Sequence, residues 1–238
     1  MGFIVVSVEN RSDIRRNPSF RAFDVIIFTF VRDIKTHKAA VMDIRTNSFC
    51  ASGMHLPNGS YVTFGGNDAV TTDGSAGSQK NSDNRTGAWD SLYQDFDGRR
   101  SIRILNPCKI SDSLNSGNCM WFDEPDQLSM KKQRWYSAAE ATGEGRIVII
   151  GGMVTGGYVN RWLPNSDPAT ENGWAEPTFE YYPSGDGDPQ VLNFLVKTSG
   201  LNAYVHTFLM ASGKMLLQAN LSTGTDFFIP SSITLDSI

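Results

Sequence analysis

The sequence predicts an all-β fold assembled from repeated hairpin units. Three observations predict it. Three segments share one order: strand, glycine turn, apolar strand, then a small or glycine-rich exit. Their turns, Asn58-Gly59, Glu144-Gly145 and Ser212-Gly213, suit hairpins because glycine supplies positive φ without strain. Helical periodicity is thin: Gln190 to Lys197 is apolar on successive residues but too short to count as a helix.

A fixed pattern of this kind marks solenoids and propellers. A Gly-Gly pair closing an apolar strand in each unit is what kelch-like β-propeller blades show. Three units cannot close a propeller, which needs about four to eight blades. The expected architecture is therefore an incomplete part of a larger propeller, about three to four blades over residues 41–238.

The elements follow in chain order. Residues 1–40 form an atypical N-terminal segment. Arg11 to Arg16 is charged, Val25 to Val31 is apolar, and no glycine hairpin joins them. The first unit runs from Phe49 to Asn67, with Tyr61-Val62-Thr63-Phe64 as its apolar strand before Gly65-Gly66. Asp68 to Asp97, rich in Gly, Ser, Asn and Asp, reads as a long surface loop. Ser101 to Leu105 alternates polar and apolar residues and predicts an outer strand. The second unit runs from Trp135 to Gly152, with Ile147-Val148-Ile149-Ile150 before its glycine pair. Thr178 to Pro183 predicts a strand closed by proline. The third unit runs from Tyr204 to Asn220, and Phe227-Phe228-Ile229-Pro230 stops where another strand should pair.

Composition excludes several function classes. The 238 residues carry a formal charge of −4, so no basic footprint for nucleic acid or anionic lipid exists. No apolar run reaches the roughly 18 residues of a membrane span. Sequons at Asn10, Asn58, Asn84 and Asn220 fit a secreted protein. Met1 to Val6 lacks a basic start and a long apolar run, so it is not a secretory signal.

Three cysteines occur. Cys108 and Cys119 lie close enough to bridge each other, which leaves Cys50 over. On residue type alone Cys50 is a buried structural thiol and Tyr136 a core or rim aromatic. His37, His55 and His206 read as strand or surface histidines rather than ligands. Asp95, Asp97, Glu124 and Asp126 read as solvated loop charges, and Trp89, Trp121, Trp162 and Trp174 as loop aromatics.

Several motifs together change the reading of Cys50 and Tyr136. They are Asp43 through Cys50, Leu56-Pro57-Asn58-Gly59 with Gly65-Gly66-Asn67, Asp97-Gly98 leading to Asn106-Pro107-Cys108, and Arg134-Trp135-Tyr136. Gly151-Gly152 with Gly156 to Asn160, and Pro177-Thr178-Phe179-Glu180, complete the set. In this order they resemble the N-terminal region of the glyoxal oxidases, a branch of the galactose oxidase-like copper radical oxidases. The resemblance covers about Met42 to Asn220. It implies part of a seven-bladed propeller with copper on its axis, and an extracellular enzyme. The implied reaction oxidises small aldehydes or alcohols and reduces O2 to H2O2.

The resemblance assigns Cys50 to a cysteine in thioether linkage with a tyrosine. It assigns Tyr136 to that tyrosine, a copper ligand that carries the radical. It also implies a Cys108–Cys119 disulfide, whose short loop would stabilise by roughly 3 kcal/mol at most. The family's other copper ligands, a Tyr-His pair and a later histidine, find no match here. Val154 stands where galactose oxidase has a tryptophan over the cross-link. The sequence reading is thus a radical oxidase fragment, inactive alone. The alternative is a non-catalytic kelch-like binding module or a degenerate product.

Overall fold

The computed structural model describes residues 3–7, 29–33, 36–71, 73–109, 112, 117–154, 175–185, 187–197 and 203–218. Among the described residues the regular structure is nearly all antiparallel β-sheet. β1 (Phe3–Ser7), β2 (Thr29–Asp33) and β3 (Ala39–Met42) form one three-stranded sheet. The described part of residues 1–40 is therefore largely strand, paired without any glycine turn to announce it.

Two four-stranded sheets follow. The first takes β4 (Ser52–His55), β5 (Tyr61–Phe64), β8 (Ile102–Leu105) and β9 (Trp121–Phe122), in that order. A side hairpin, β6 (Gln79–Lys80) and β7 (Gly87–Trp89), sits between β5 and β8 in sequence. The second takes β10 (Ala138–Ala141), β11 (Ile147–Ile150), β12 (Thr178–Tyr182) and β13 (Gln190–Val191). A short helix, α1 (Asn193–Lys197), leads to the hairpin β14 (His206–Leu209) and β15 (Met215–Gln218). The first two units are four-stranded up-and-down meanders, as propeller blades are, and the third shows one hairpin among the described residues. The turn glycines Gly59, Gly145 and Gly213 have φ of 85°, 83° and 78°.

The core lies between sheets, which explains the sequence of β11. Its alternate side chains point to opposite faces. Ile147 and Ile149 meet Val62, Phe64 and Ile102 of the first sheet. Val148 and Ile150 meet Met215 and Leu217 of the third unit. All four are buried, so a continuous apolar strand replaces the usual alternation. The first strands of the three units sit together, β10 lying beside both β4 and β14.

Asp68 to Asp97 corrects the sequence reading. It contains β6 and β7, and Asp68, Asp90 and Asp95 are buried. Asp97 is no solvated charge either: it binds Arg99 Nη2 at 2.6 Å. Trp121 is buried in β9 and donates to the Thr29 hydroxyl at 2.9 Å, and Trp89 belongs to β7. Trp162, Trp174, Arg11 to Arg16, the Gly156 to Asn160 motif and Phe227 to Pro230 lie outside the described residues.

Cys108 and Cys119 are disulfide-bonded, with Cα atoms 5.5 Å apart. The bridge ties the start of the β8–β9 connection to its end. Replacing both cysteines by alanine should lower unfolding free energy by about 3 kcal/mol at most, the chain-entropy limit for so short a loop. Urea denaturation of the double variant measures it.

Candidate functional site

Two buried arginines fix the segments that precede Cys50 and Tyr136. Arg103, in β8, donates from Nε to Thr46 Oγ1 at 2.7 Å, from Nη1 to the Gly65 carbonyl at 2.7 Å and from Nη2 to the Asn47 carbonyl at 3.0 Å. Asp123 faces it, accepting the Arg45 and Thr46 amides at 2.8 Å each and the Thr46 hydroxyl at 2.7 Å. The segment 45–47 is therefore held by one guanidinium and one carboxylate, both desolvated.

Arg134 and Glu180 do the same in the second unit. Arg134 Nε donates to Glu180 Oε1 at 3.0 Å. Its Nη1 reaches the Gly151 and Thr178 carbonyls at 2.8 and 3.0 Å, and its Nη2 reaches Thr178 Oγ1 at 2.8 Å. Glu180 also accepts the Lys131 and Lys132 amides at 2.6 and 3.2 Å. This ion pair joins the Arg134-Trp135-Tyr136 and Thr178-Phe179-Glu180 motifs physically. Every nitrogen of each guanidinium finds a partner, which is what makes a buried arginine tolerable.

The glycine pairs have a local reason. A Cβ on Gly66 would stand 1.9 Å from the Asn47 carbonyl oxygen, and one on Gly152 would stand 2.7 Å from that of Trp135. The strand exits thus press directly on the backbone that leads to Cys50 and Tyr136. The Gly66 amide also donates to the Arg134 carbonyl at 3.1 Å, tying one unit to the next.

Cys50 and Tyr136 occupy equivalent places. Each lies two residues before the first strand of its unit, β4 and β10. Tyr204 lies two residues before β14 and completes the series. All three are non-glycine residues in the left-handed region, with φ of 57°, 59° and 48°. Such conformations cost about 1–3 kcal/mol each and persist where the surroundings impose them. The three are linked by main-chain hydrogen bonds. The Tyr136 amide donates to the Cys50 carbonyl at 3.1 Å, and the Tyr204 amide to the Tyr136 carbonyl at 2.7 Å.

The side chains converge as well. Cys50 and Tyr136, both half-buried, pack with Phe49 against Trp135, Met153 and Ala175. The Trp135 ring lies 4.2 Å from that of Tyr136, tilted by 52°. An aromatic thus covers Tyr136 from the preceding residue, although position 154 is valine. The Tyr204 ring meets Tyr136 edge-on at 4.9 Å and 90°. Burial, then the charge and hydrogen bond of Cys50, then Tyr136 push the Tyr204 hydroxyl well above the ordinary tyrosine range, so it stays a proton donor. Tyr204, Arg103, Asp123 and the partnership of Arg134 with Glu180 were not singled out in the sequence. Aligning the third unit on the first two would have found Tyr204.

The sequence histidines stay apart from this cluster. His55, in β4, stacks edge-on against Tyr61 at 5.2 Å. His206 opens β14 with an exposed side chain, and His37 is also exposed. Among the described residues no group of three His, Cys, Asp or Glu side chains could hold a metal ion. Copper needs several nitrogen or oxygen donors, and the cluster offers two phenols and one sulfur. These residues alone do not fit a copper ion. A cavity of about 200 Å³ beside Ser48 and Ala51 is lined in part by Thr63, but by neither Cys50 nor Tyr136.

Asp95 bears on the same segment. Its Oδ2 accepts from Asn47 Nδ2 and the Val70 amide, both at 3.4 Å. Burial, opposed by the Val70 and Asn47 hydrogen bonds and aided by the Asp90 charge, pushes its carboxyl up to about 7. An unfolded aspartate titrates near 3.9. Between about pH 4 and 7 the folded protein holds the extra proton, so the stability from Asp95 is full below that window and falls as pH rises through it. Asp95→Asn should flatten this part of the stability profile. Urea midpoints of both proteins from pH 5 to 8 test it; parallel profiles would refute the assignment.

No family model matches the chain. It is similar to an aldehyde oxidase GLOX of Vitis pseudoreticulata, 24% identical over 200 residues, covering 83% of this chain and 28% of the relative. It is also similar to a WSC domain-containing protein of Arthroderma benhamiae, 26% identical over 177 residues, covering 74% of this chain and 14% of that protein. The chain therefore spans under a third of the length of either relative. A solved fungal alcohol oxidase of the AA5 family, in complex with copper, aligns at a TM-score of 0.34 and 15% identity, over 65% of this chain and 21% of the other.

Proposed function

Taking the relationship of this chain to the galactose oxidase-like copper radical oxidases, at modest identity, as the starting point, we propose that Cys50 and Tyr136 form its redox centre. The single observation that carries this reading is their equivalent placement. Two neighbouring units bring a thiol and a phenol into one packed cluster, joined by a 3.1 Å main-chain hydrogen bond.

The centre is a thioether between Cys50 Sγ and a ring carbon of Tyr136 ortho to its hydroxyl. Forming it breaks one S–H and one C–H bond and makes one C–S bond. Two electrons and two protons leave, and dioxygen accepts them as hydrogen peroxide. Sulfur at the ortho position donates density to the ring and makes the phenol easier to oxidise. Trp135 and Phe49 keep water from one side of the pair.

The activity of the whole protein is then oxidation of small aldehydes or alcohols with O2 as acceptor. Copper in such an oxidase would supply the one-electron partner of the organic radical. This chain contributes Tyr136 toward it, and the described residues do not complete the donor set. An extracellular site of action follows from the same resemblance, and the Cys108–Cys119 disulfide supports it, because disulfides persist in oxidising compartments. No described helix is long and apolar enough to cross a membrane.

Peptide mapping by mass spectrometry tests the centre. The full chain is incubated with a copper salt in air and digested. A joined Cys50–Tyr136 peptide, two hydrogens lighter than its parts, is expected. Separate peptides after complete copper treatment would instead favour a non-catalytic kelch-like module.

A further inference from the structure

The cavity beside Ser48 lies apart from the redox cluster. It holds about 200 Å³, and no charged side chain lines it among the described residues. One face of the first sheet builds it. Gly53 pairs with Thr63 across β4 and β5, and Tyr61, two residues from Thr63, points to the same side. Trp121 of β9 stands edge-on to the Tyr61 ring, 6.3 Å away. Its indole donates to Thr29 Oγ1, and Thr29 brings β2 to the cavity wall. Gly53 keeps the space open: a Cβ there would stand 2.9 Å from the Tyr61 hydroxyl.

Four hydroxyl side chains therefore line one small space: Thr29, Ser48, Tyr61 and Thr63. Two of them are left over. Ser48 Oγ and Thr63 Oγ1 are buried with no hydrogen-bond partner, and Ser48 as a whole is only 5% exposed. An unpaired buried hydroxyl is costly, and native chains keep few. A hydroxyl can turn its hydrogen to give or to accept a bond, so these two can serve a partner that does both. We propose that the cavity is a binding site for a small neutral polyol of glycerol size. The polyol hydroxyls pair with Ser48 and Thr63, and its carbon face lies against Tyr61 and Trp121. Liquid water takes about 30 Å³ per molecule, so the space admits roughly six waters or one such polyol. A charged ligand would find no counter-charge, and a purely apolar one would leave the two hydroxyls unpaired.

The experiment uses the full chain, prepared without polyols, and glycerol as the probe. The Trp121 indole N–H is the reporter, because its partner Thr29 shares the cavity wall. Nitrogen–proton NMR follows its resonance, assigned by its loss in Trp121→Phe. Glycerol should move it saturably, with a dissociation constant on the order of millimolar for so small a ligand. Thermal midpoints cannot replace this readout, since polyols stabilise folded proteins generally by exclusion from the surface. The control n-propanol has the same carbon chain and a single hydroxyl, and it should bind about fivefold more weakly or worse. Ser48→Ala and Thr63→Val should each weaken glycerol about fivefold, the loss of one neutral hydrogen bond, with the amide spectrum otherwise unchanged.

A shift that rises linearly with glycerol and never saturates overturns the proposal and leaves a cavity that holds water only. Equal affinity for n-propanol and glycerol overturns it too, and so does full glycerol affinity in both variants. If neither variant folds, the comparison of the two alcohols on the parent chain still decides. Neither Cys50 nor Tyr136 lines the cavity, so the outcome is independent of whether their peptides join.

Discussion

Arg134→Ala should remove about 3–5 kcal/mol of folding stability, the usual cost of stripping one partner from a buried ion pair. The truncation leaves the Glu180 carboxylate inside the protein with only two amide donors, from Lys131 and Lys132. It also orphans the Gly151 and Thr178 carbonyls that the guanidinium serves. Domains of this size are stable by about 5–15 kcal/mol, so most of the margin would be lost. Arg134→Lys should not restore it, because one ammonium cannot reach a carboxylate and two carbonyls in a fixed plane. The double variant Arg134→Met, Glu180→Leu should recover part of the loss, since it removes both charges together. Urea unfolding followed by tryptophan fluorescence checks all three. A loss below about 1 kcal/mol for Arg134→Ala would mean that water reaches Glu180 and the pair is not buried in solution.

Gly66→Ala should cost about 3 kcal/mol or more, beyond the ordinary range for a single methyl group. The added Cβ falls 1.9 Å from the Asn47 carbonyl oxygen, and φ at this position is 140°, which L side chains rarely adopt. Neither neighbour is a flexible side chain that turns aside. The Asn47 carbonyl is itself bound by Arg103, so moving it breaks a buried hydrogen bond. The strain should propagate three residues on to Cys50. A drop in thermal midpoint together with slower joining of the Cys50 and Tyr136 peptides is the expected pair of readouts. A variant as stable as the parent would show that the strand exit is not pressed against segment 47–50.

The sequence revealed the units well where their signals are local. A turn glycine flanked by apolar strands sets register within a hairpin, and β4–β5, β10–β11 and β14–β15 pair as that pattern implies. The equivalence of Cys50 and Tyr136 also follows from laying one unit on another. What sequence hides is compensation. Arg103 and Arg134 look like surface residues until their partners, 20 to 50 residues away in sequence, are folded onto them. Asp68, Asp90 and Asp95 look like loop charges because their burial is offset by backbone amides that no local pattern announces. β1 pairs with β2 across a long separation, and β2 turns back onto β3, with no glycine signal at either pairing. Tyr204 was hidden differently: it opens the third unit, but a lone tyrosine carries no motif that marks it.

The direction of the first strands has a practical meaning. β4, β10 and β14 all start beside the Cys50, Tyr136 and Tyr204 series and run away from it to their hairpin turns. Those turns, at Pro57 to Gly59, Gly143 to Gly145 and Ala211 to Gly213, are exposed. Each strand length thus insulates the cluster from the hairpin tips. A fluorophore or affinity handle inserted at Ser212-Gly213 should leave the thiol and phenols untouched, and the chain offers three such attachment points at the far end from its chemistry.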